Sequence, residues 1–405
     1  MTRITKQAAH HELNDNDHNF SEFRFWDFVI NELGIFQHLH PFFPLPSGAY
    51  GLHLFRFGSK LVESTCLLEV ITMNGCMIGI DLGGTNIKAA VYDHSFRCLT
   101  DRMIDTQADG GPEHVLNRIA GLAEAMLDEL GMSKTDVACM GMGIPGLLNP
   151  ETGFSVFSPN FPGWSNVNVI EIMSRTFDFP IYIDNDVRVN LYGEWRFGAG
   201  AGCRDLVLLT LGTGLGSGIV MGGRVLYGAT SSAGEIGHMN MYREGRPCKC
   251  GSSGCLGRYV SAIGMVNTFK ERLSQGRTSI IEEWSLGQPE KITARMISEA
   301  YDQGDLLAAE VLQETGTLLG FGLSNVINLF NPELIIIGGG MSAAGERLLQ
   351  PIREAIEAHT LEMPRRACRI VTARLGGKAG MLGAAVYAYE RSLGKWSGGK
   401  EEQKP

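Results

Sequence analysis

From residue 77 onward, short apolar runs alternate with longer amphipathic stretches. Residues 77–81 and 87–92 are short and almost continuously apolar. They predict buried strands joined by a glycine-rich turn. The period then changes: Val115, Ile119, Leu122 and Met126 recur at helical spacing and predict a helix over residues 113–129. The same reasoning predicts strands at 137–143 and 181–184, a helix from about Asp186, and strands at 205–211 and 218–225. A mostly helical stretch follows at 258–329, then a strand at 333–337, a helix at 345–358, a strand at 369–373 and a last helix at 379–391. Strands alternating with helices over this length predict an α/β chain in two lobes, with the junction near residues 186–200.

The first 76 residues break the pattern. They hold eleven of the 34 aromatic residues and six of the ten histidines. Phe20, Phe23, Phe25, Trp26 and Phe28 crowd together with neither a helical nor a strand period. An added docking element, a divergent accessory domain and translated upstream sequence are the readings open. A misplaced start, with Met77 as the natural alternative, or a poorly structured extension is favoured. Five Lys and Arg face eight Asp and Glu in this segment, so it lacks the basic footprint of a DNA reader. The tail at 392–405, rich in Lys, Glu and Gly, is expected to be loose.

Composition narrows the class. The chain has 405 residues, 44% hydrophobic and 20% charged, enough for two ordinary globular domains. A net charge of −9 disfavours nucleic acid and anionic membrane as partners, and no run is long enough to span a bilayer. Nine cysteines make an odd number. Cys66, Cys76, Cys98, Cys139, Cys203 and Cys368 read as free thiols, which suits a reducing cytoplasm.

Three glycine loops carry the first chemical signal. Asp81-Leu-Gly-Gly-Thr-Asn-Ile-Lys88 joins two predicted strands, and Leu211-Gly-Thr-Gly-Leu-Gly-Ser-Gly218 does the same in the second half. Such turns let backbone N–H groups close on phosphate oxygens, with Thr hydroxyls as further donors. Gly83, Gly84, Thr85 and Asn86 in the first loop, and Gly212, Thr213 and Gly214 in the second, are the phosphate candidates. Asp81 ends its strand where it can hold Mg²⁺ directly or through water. Gly338, Gly339 and Gly340 follow a third strand and suit a nucleoside packed on bare backbone. None of these is a Walker A loop or a dinucleotide fingerprint. One such loop alone is a common hairpin device; the ordered trio points to a nucleotide.

The second signal is His238 with Cys248, Cys250 and Cys255, one His and three Cys within eighteen residues of a Gly-rich run. This ligand set and spacing suit a tetrahedral Zn²⁺, which would fix a loop too poor in apolar residues to fix itself. A disulfide is the rival reading, and nothing else in the chain calls for an oxidising compartment.

With Gly143-Ile-Pro-Gly146, Pro159-Asn160, Asn185-Asp186 and Glu235-Ile-Gly-His238 added to these motifs, residues 77–390 resemble the ROK family of bacterial sugar kinases and repressors, within the actin-like ATPase (ribonuclease H-like) superfold. The resemblance implies two lobes closing on ATP·Mg²⁺ and a hexose, a structural Zn²⁺, and frequent homodimers. It implies a small lobe at 77–190 with the 379–391 helix packing back on it, and a large lobe at 191–378 carrying the zinc loop. It makes Asp186 the catalytic base of a glucokinase-like 6-phosphotransferase. Asn160, Asn185, Glu235 and His238 become sugar ligands, with His238 also binding zinc.

Physically, a carboxylate beside a primary hydroxyl can take its proton as the alcohol attacks the γ-phosphate. By position alone, Asp186 reads first as the N-cap of its helix; Asn185 beside it and the phosphate loops reverse that. Asn160 alone reads as a turn residue, Glu235 as a surface carboxylate, and Lys88 as either a phosphate contact or a solvated strand-edge cation. One position departs from the family pattern. Kinases of the family follow the cysteine motif with Cys-x-Glu, whereas this chain has Cys255-Leu256-Gly257, followed by Arg258. The expectation for Arg258 is a solvent-facing residue; the alternative is a hydrogen-bond donor near the sugar.

Overall fold

Two five-stranded sheets of the same strand order organise the chain, seen in a computed structural model that describes residues 75–158 and 161–394. The first sheet is built from β1 (Cys76–Leu82), β2 (Asn86–Tyr92), β3 (Cys98–Asp105), β4 (Val137–Ile144) and β8 (Ile181–Asn185), in the order β3-β2-β1-β4-β8. A small antiparallel sheet of β5 (Leu147–Asn149), β6 (Phe154–Phe157) and β7 (Ser165–Asn168) is inserted before β8. The second large sheet is built from β9 (Leu206–Leu211), β10 (Leu215–Met221), β11 (Arg224–Val225), β12 (Leu334–Gly338) and β13 (Arg369–Thr372), in the order β11-β10-β9-β12-β13. In both sheets the first strand runs antiparallel to the second and parallel to the fourth in spatial order. Each therefore opens with a hairpin whose turn is a glycine loop.

The inner strands read as apolar runs because they are covered on both faces: β1, β4 and β12 are buried along almost their whole length. The Gly111–Glu129 helix covers one face of the first sheet, contributing Val115, Leu116, Ile119 and Met126 to its core. The Ala379–Ser392 helix covers the other face, where Met381, Leu382 and Ala385 meet Met77 and Ala90. Gly79 and Gly141 lie directly beneath this helix. A Cβ on either would fall on the backbone carbonyl of Met381 or Ala384, so the close approach requires glycine. The Leu306–Phe330 and Glu346–His359 helices bury Leu319, Leu323, Leu348 and Ile352 against the second sheet. On that sheet's other face, Leu191, Tyr192 and Trp195 of the Asp186–Phe197 helix pack with Leu206, Leu208 and Ile336.

Three elements differ from expectation. The 218–225 strand is two strands, β10 and β11, because Gly222 and Gly223 both take positive φ (60° and 77°) and turn the chain. β3 was missed: it is an edge strand with most residues exposed, and its Asp, Arg and Thr leave no alternation to read. The β5–β7 sheet was missed for the same reason, its strands being only three or four residues long. Residues 1–74, Asn160 and the tail from 395 lie outside the described residues. No described helix is long and apolar enough to cross a membrane.

Candidate functional site

β1, β4 and β8 run parallel, so their carboxyl ends lie side by side and bring Asp81, Gly143 and Asp184 into register. Ligands of open α/β sheets bind outside such strand ends. Just beyond β8, Asn185 and Asp186 start the Asp186–Phe197 helix, and the two divide the work. Asn185 is the N-cap. Its Oδ1 accepts from Val187 N (2.9 Å) and Arg188 N (3.3 Å), and its Nδ2 donates to Gly146 O (3.1 Å). The cap reading of Asp186 is thereby corrected, because its neighbour holds that position. Asp186 is the first residue inside the helix, half-buried, its carboxyl pushed up to about 6. Burial is the larger cause and the charge of Asp81 the second; the N–H groups of Val187 and of Asp186 itself pull the other way without offsetting them. Asp81 is raised as well, by burial, with Lys88 opposing. The Lys88 ammonium lies 3.7 Å from Asp81 Oδ2, its cross-strand neighbour. Lys88 is thus tied to a site carboxylate rather than simply solvated.

The second and third glycine loops meet on the second sheet. Gly339 has φ 82°, and a Cβ there would fall on the backbone of Leu211, so the third loop packs directly on the root of the second. At Gly84, Gly212, Gly214 and Gly340, by contrast, a Cβ would meet no described atom within 4 Å, and φ is not in the left-handed range. Neither packing nor backbone geometry demands glycine at these four positions, which suits a ligand closing on the loop. Gly212 O accepts from Ala262 N (2.9 Å), placing the loop at the amino end of the thirteen-residue Ala262–Ser274 helix, where anions are favoured. A cavity of about 260 Å³ opens beside Thr213, lined by Ile263, Val266, Asn267, Lys270 and Ile292. The first loop is pinned by a residue that sequence reasoning missed. The fully buried Thr106 donates its hydroxyl to Gly83 O (2.7 Å) and its N–H to Thr85 O (2.8 Å).

Glu235 and His238 flank a single turn, Ile236–His238, with the His238 Nε2 atom 4.0 Å from Glu235 Oε2. Ser217 of β10 holds this turn, donating to Gly234 O and accepting from Ile236 N (3.1 Å). A Cβ on Gly237 would fall on Leu215 O, so the turn sits against the strand that leaves the 212–214 loop. The other ring nitrogen of His238, Nδ1, lies 3.7 Å from Cys248 Sγ, and Cys250 Sγ lies 3.7 Å from Cys255 Sγ. All four donor atoms lie within 4.8 Å of one another. Two thiolates on one tetrahedral Zn²⁺, each at about 2.3 Å, stand about 3.8 Å apart, so the cluster has the dimensions of a zinc site. No pairing as a disulfide is present: all three cysteines are free.

Beneath Asp186 lies a buried network with no sequence-level signal beyond an i,i+4 charge pair. Asp184 is fully buried. It pairs with Arg188 Nε (2.6 Å) and accepts from Tyr227 Oη (2.6 Å) and Asn185 N (2.7 Å). Arg188 also donates to Ser231 O (2.9 Å), tying the Asp186–Phe197 helix to the loop that leads to Glu235. Arg258 departs from the solvent-facing expectation: it is half-buried, and its Nε has no partner among the described residues.

The profile of the ROK family matches residues 77–391 of this chain. The chain belongs to the ROK family. Among its relatives is the glucokinase of Halalkalibacterium halodurans, 34% identical over 321 residues, 78% of this chain and 97% of that enzyme. A xylose repressor of Caldicellulosiruptor bescii is 29% identical over 80% of this chain and 81% of the repressor. A ROK glucokinase of Streptomyces griseus, solved with glucose and AMPPNP, superposes with a TM-score of 0.67 at 33% identity, covering 78% of this chain and all of that one. This ROK protein accordingly has the two-lobed actin-like α/β fold. Its kinship reaches both glucokinases and xylose repressors.

Proposed function

We propose that this ROK protein is an ATP-dependent hexose kinase that phosphorylates the sugar 6-hydroxyl, with glucose as its first substrate. The observation that carries the reading is the division of labour at the β8 end. Asn185 takes the cap, and Asp186 keeps a carboxyl raised to about 6, near the range a general base needs. Asp186 takes the hydroxyl proton as that oxygen bonds to the γ-phosphorus and the bond to the bridging oxygen breaks, releasing ADP. Gly83, Gly84, Thr85, Asn86, Gly212, Thr213 and Gly214 cradle the phosphates, and Gly338, Gly339 and Gly340 flank the adenosine. Asp81 would hold Mg²⁺, which when bound neutralises phosphate charge. Asn160, Glu235 and His238 bind sugar hydroxyls. Asn185 has one Nδ2 hydrogen to add, its other bonds being spent in the cap.

His238, Cys248, Cys250 and Cys255 would hold a structural Zn²⁺, whose chemistry is to fix the loop rather than to react. The same reading makes the protein a cytoplasmic homodimer that binds neither nucleic acid nor membrane. A coupled ADP-release assay of zinc-loaded protein with ATP·Mg²⁺ and a panel of glucose, fructose, mannose, N-acetylmannosamine and N-acetylglucosamine tests it. A glucose-dependent rate well above the sugar-free blank is the expected result. Sugar binding without turnover by any member would sink it in favour of a sugar-responsive regulator. The observations that keep this second reading in view are the likeness to a xylose repressor and Gly257 in place of the family's Glu.

A further inference from the structure

The chain passes between the two large sheets twice. It leaves the first sheet through the Asp186–Phe197 helix and residues 198–205 to reach β9. It returns from β13 through residues 373–378 to the Ala379–Ser392 helix. One carboxylate sits at both crossings. Glu194 is 1% exposed. Its Oε2 accepts from Ala199 N (2.9 Å) on the outgoing crossing and from Arg374 N (3.0 Å) on the returning one, and its Oε1 accepts from Leu375 N (2.6 Å). Its own carbonyl accepts from Gly198 N (3.1 Å) and Gly200 N (2.9 Å). Five backbone donors from the two connections thus end on a single residue.

The surroundings leave it no alternative position. A Cβ on Gly198 would fall on Glu194 Oε2, and a Cβ on the preceding Gly193 would fall on Ala379 O, where the two crossing helices touch backbone to backbone. A buried carboxylate is costly unless its lone pairs are filled, and here three N–H groups fill them. Glu194 lies in the same helix that begins with Asp186, so a rotation at this clamp carries the base with it.

We propose that Glu194 is the hinge pin of the two lobes: a positioning residue that makes both crossings bend as one unit and so sets how Asp186 meets the loops of the other lobe. Hinges of closing enzymes are a few residues at element ends, remote from the chemistry, whose replacement changes kcat and KM together. Glu194→Gln can keep one oxygen on the Ala199 and Arg374 amides and lose only the Leu375 bond, whereas Glu194→Leu removes the acceptor of all three and uncouples the two crossings.

Amide-resolved hydrogen exchange of the wild-type protein is the first readout. The Ala199, Arg374 and Leu375 amides, sharing one acceptor group, should show protection factors within about threefold of one another. In Glu194→Leu all three should lose at least about tenfold together, while the amides of β1 and β12 keep theirs. Assayed well below its Tm, the variant should show a raised sugar KM and a lowered kcat, with kcat/KM down by about tenfold or more. A lowered Tm with wild-type kcat and KM would mean a structural role only and would overturn the proposal. Should the variant not fold, wild-type amides differing by more than about tenfold in protection would overturn it equally. The rate arm rests on the kinase reading and the exchange arm does not. A wild type that turns over no sugar would therefore defeat that reading while the exchange result still decides this one.

Discussion

Around Asp186, each supporting group is held by hydrogen bonds and ion pairs inside the packed fold: Asp184 is fully buried, Arg188 nearly so, and Asn185 is locked by three bonds. Around His238 the support is of another kind. Four donor atoms crowd together in a stretch where Tyr242, Arg243, Glu244, Lys249, Cys250, Gly251 and Ser252 are exposed and little apolar surface is covered. The first region is organised by the fold itself. The second rests on local backbone bridges, on the hydrogen bonds of Arg246 and on whatever holds the four donors. The two halves of the proposed sugar site should therefore fail differently. Damage at the strand ends costs stability or chemistry, and damage at the cysteine loop costs sugar affinity.

The largest effect belongs to Asp186, the proposed base. Asp186→Asn should lower kcat by about 10²–10⁴ while leaving the fold and metal content intact, checked by steady-state kinetics and metal analysis. Its stability should rise. A carboxyl whose folded pKa is raised favours the fold in its neutral form, a contribution present below about pH 4 and lost as pH climbs through about 6. At pH 7 the ionised Asp186 is a liability that Asn removes, so thermal melts should show a higher Tm for the variant.

Next comes Arg188→Met, which strands the buried Asp184 carboxylate. Breaking a buried pair from one side costs about 3–5 kcal/mol, so Tm should fall on the order of ten degrees. An unchanged melt would show that Tyr227 and the Asn185 amide suffice for Asp184.

Chelating the proposed Zn²⁺ should act on the other region. Loss of the proposed Glu235 and His238 contacts, each worth about 1.5–3 kcal/mol, should raise sugar KM by about two to four decades, with the ATP-side loops unaffected in nucleotide-binding titrations. Equal loss of nucleotide and sugar binding would contradict the separation of the two regions. The smallest effect is Asn185→Ala, a lost cap worth about 1 kcal/mol in a denaturation midpoint.

The comparison also explains what the sequence could reveal. β1, β4, β9 and β12 announce themselves because both faces are buried and their residues are almost all apolar. The cysteine cluster is legible because its geometry is nearly local: eighteen residues contain all four donors. The network under Asp186 is not, since Asp184, Arg188, Tyr227 and Ser231 meet only through the tertiary fold. Nor could the chain itself decide which of two adjacent cap-competent residues, Asn185 or Asp186, would cap. That outcome depends on the Gly146 carbonyl that fixes the Asn185 amide. Glu194 was silent for the same reason, as a Glu inside an amphipathic helix ordinarily faces water.

If Asp186 acts as base through a raised carboxylate that caps no helix, its titration must appear in the pH dependence of kcat/KM, because that ratio reports the free enzyme. The wild type should lose activity about tenfold per unit as pH falls below about 6, and the residual activity of Asp186→Asn should show no such limb. A wild-type profile flat down to pH 4.5, or an acid limb near 6 that survives in Asp186→Asn, would contradict the account.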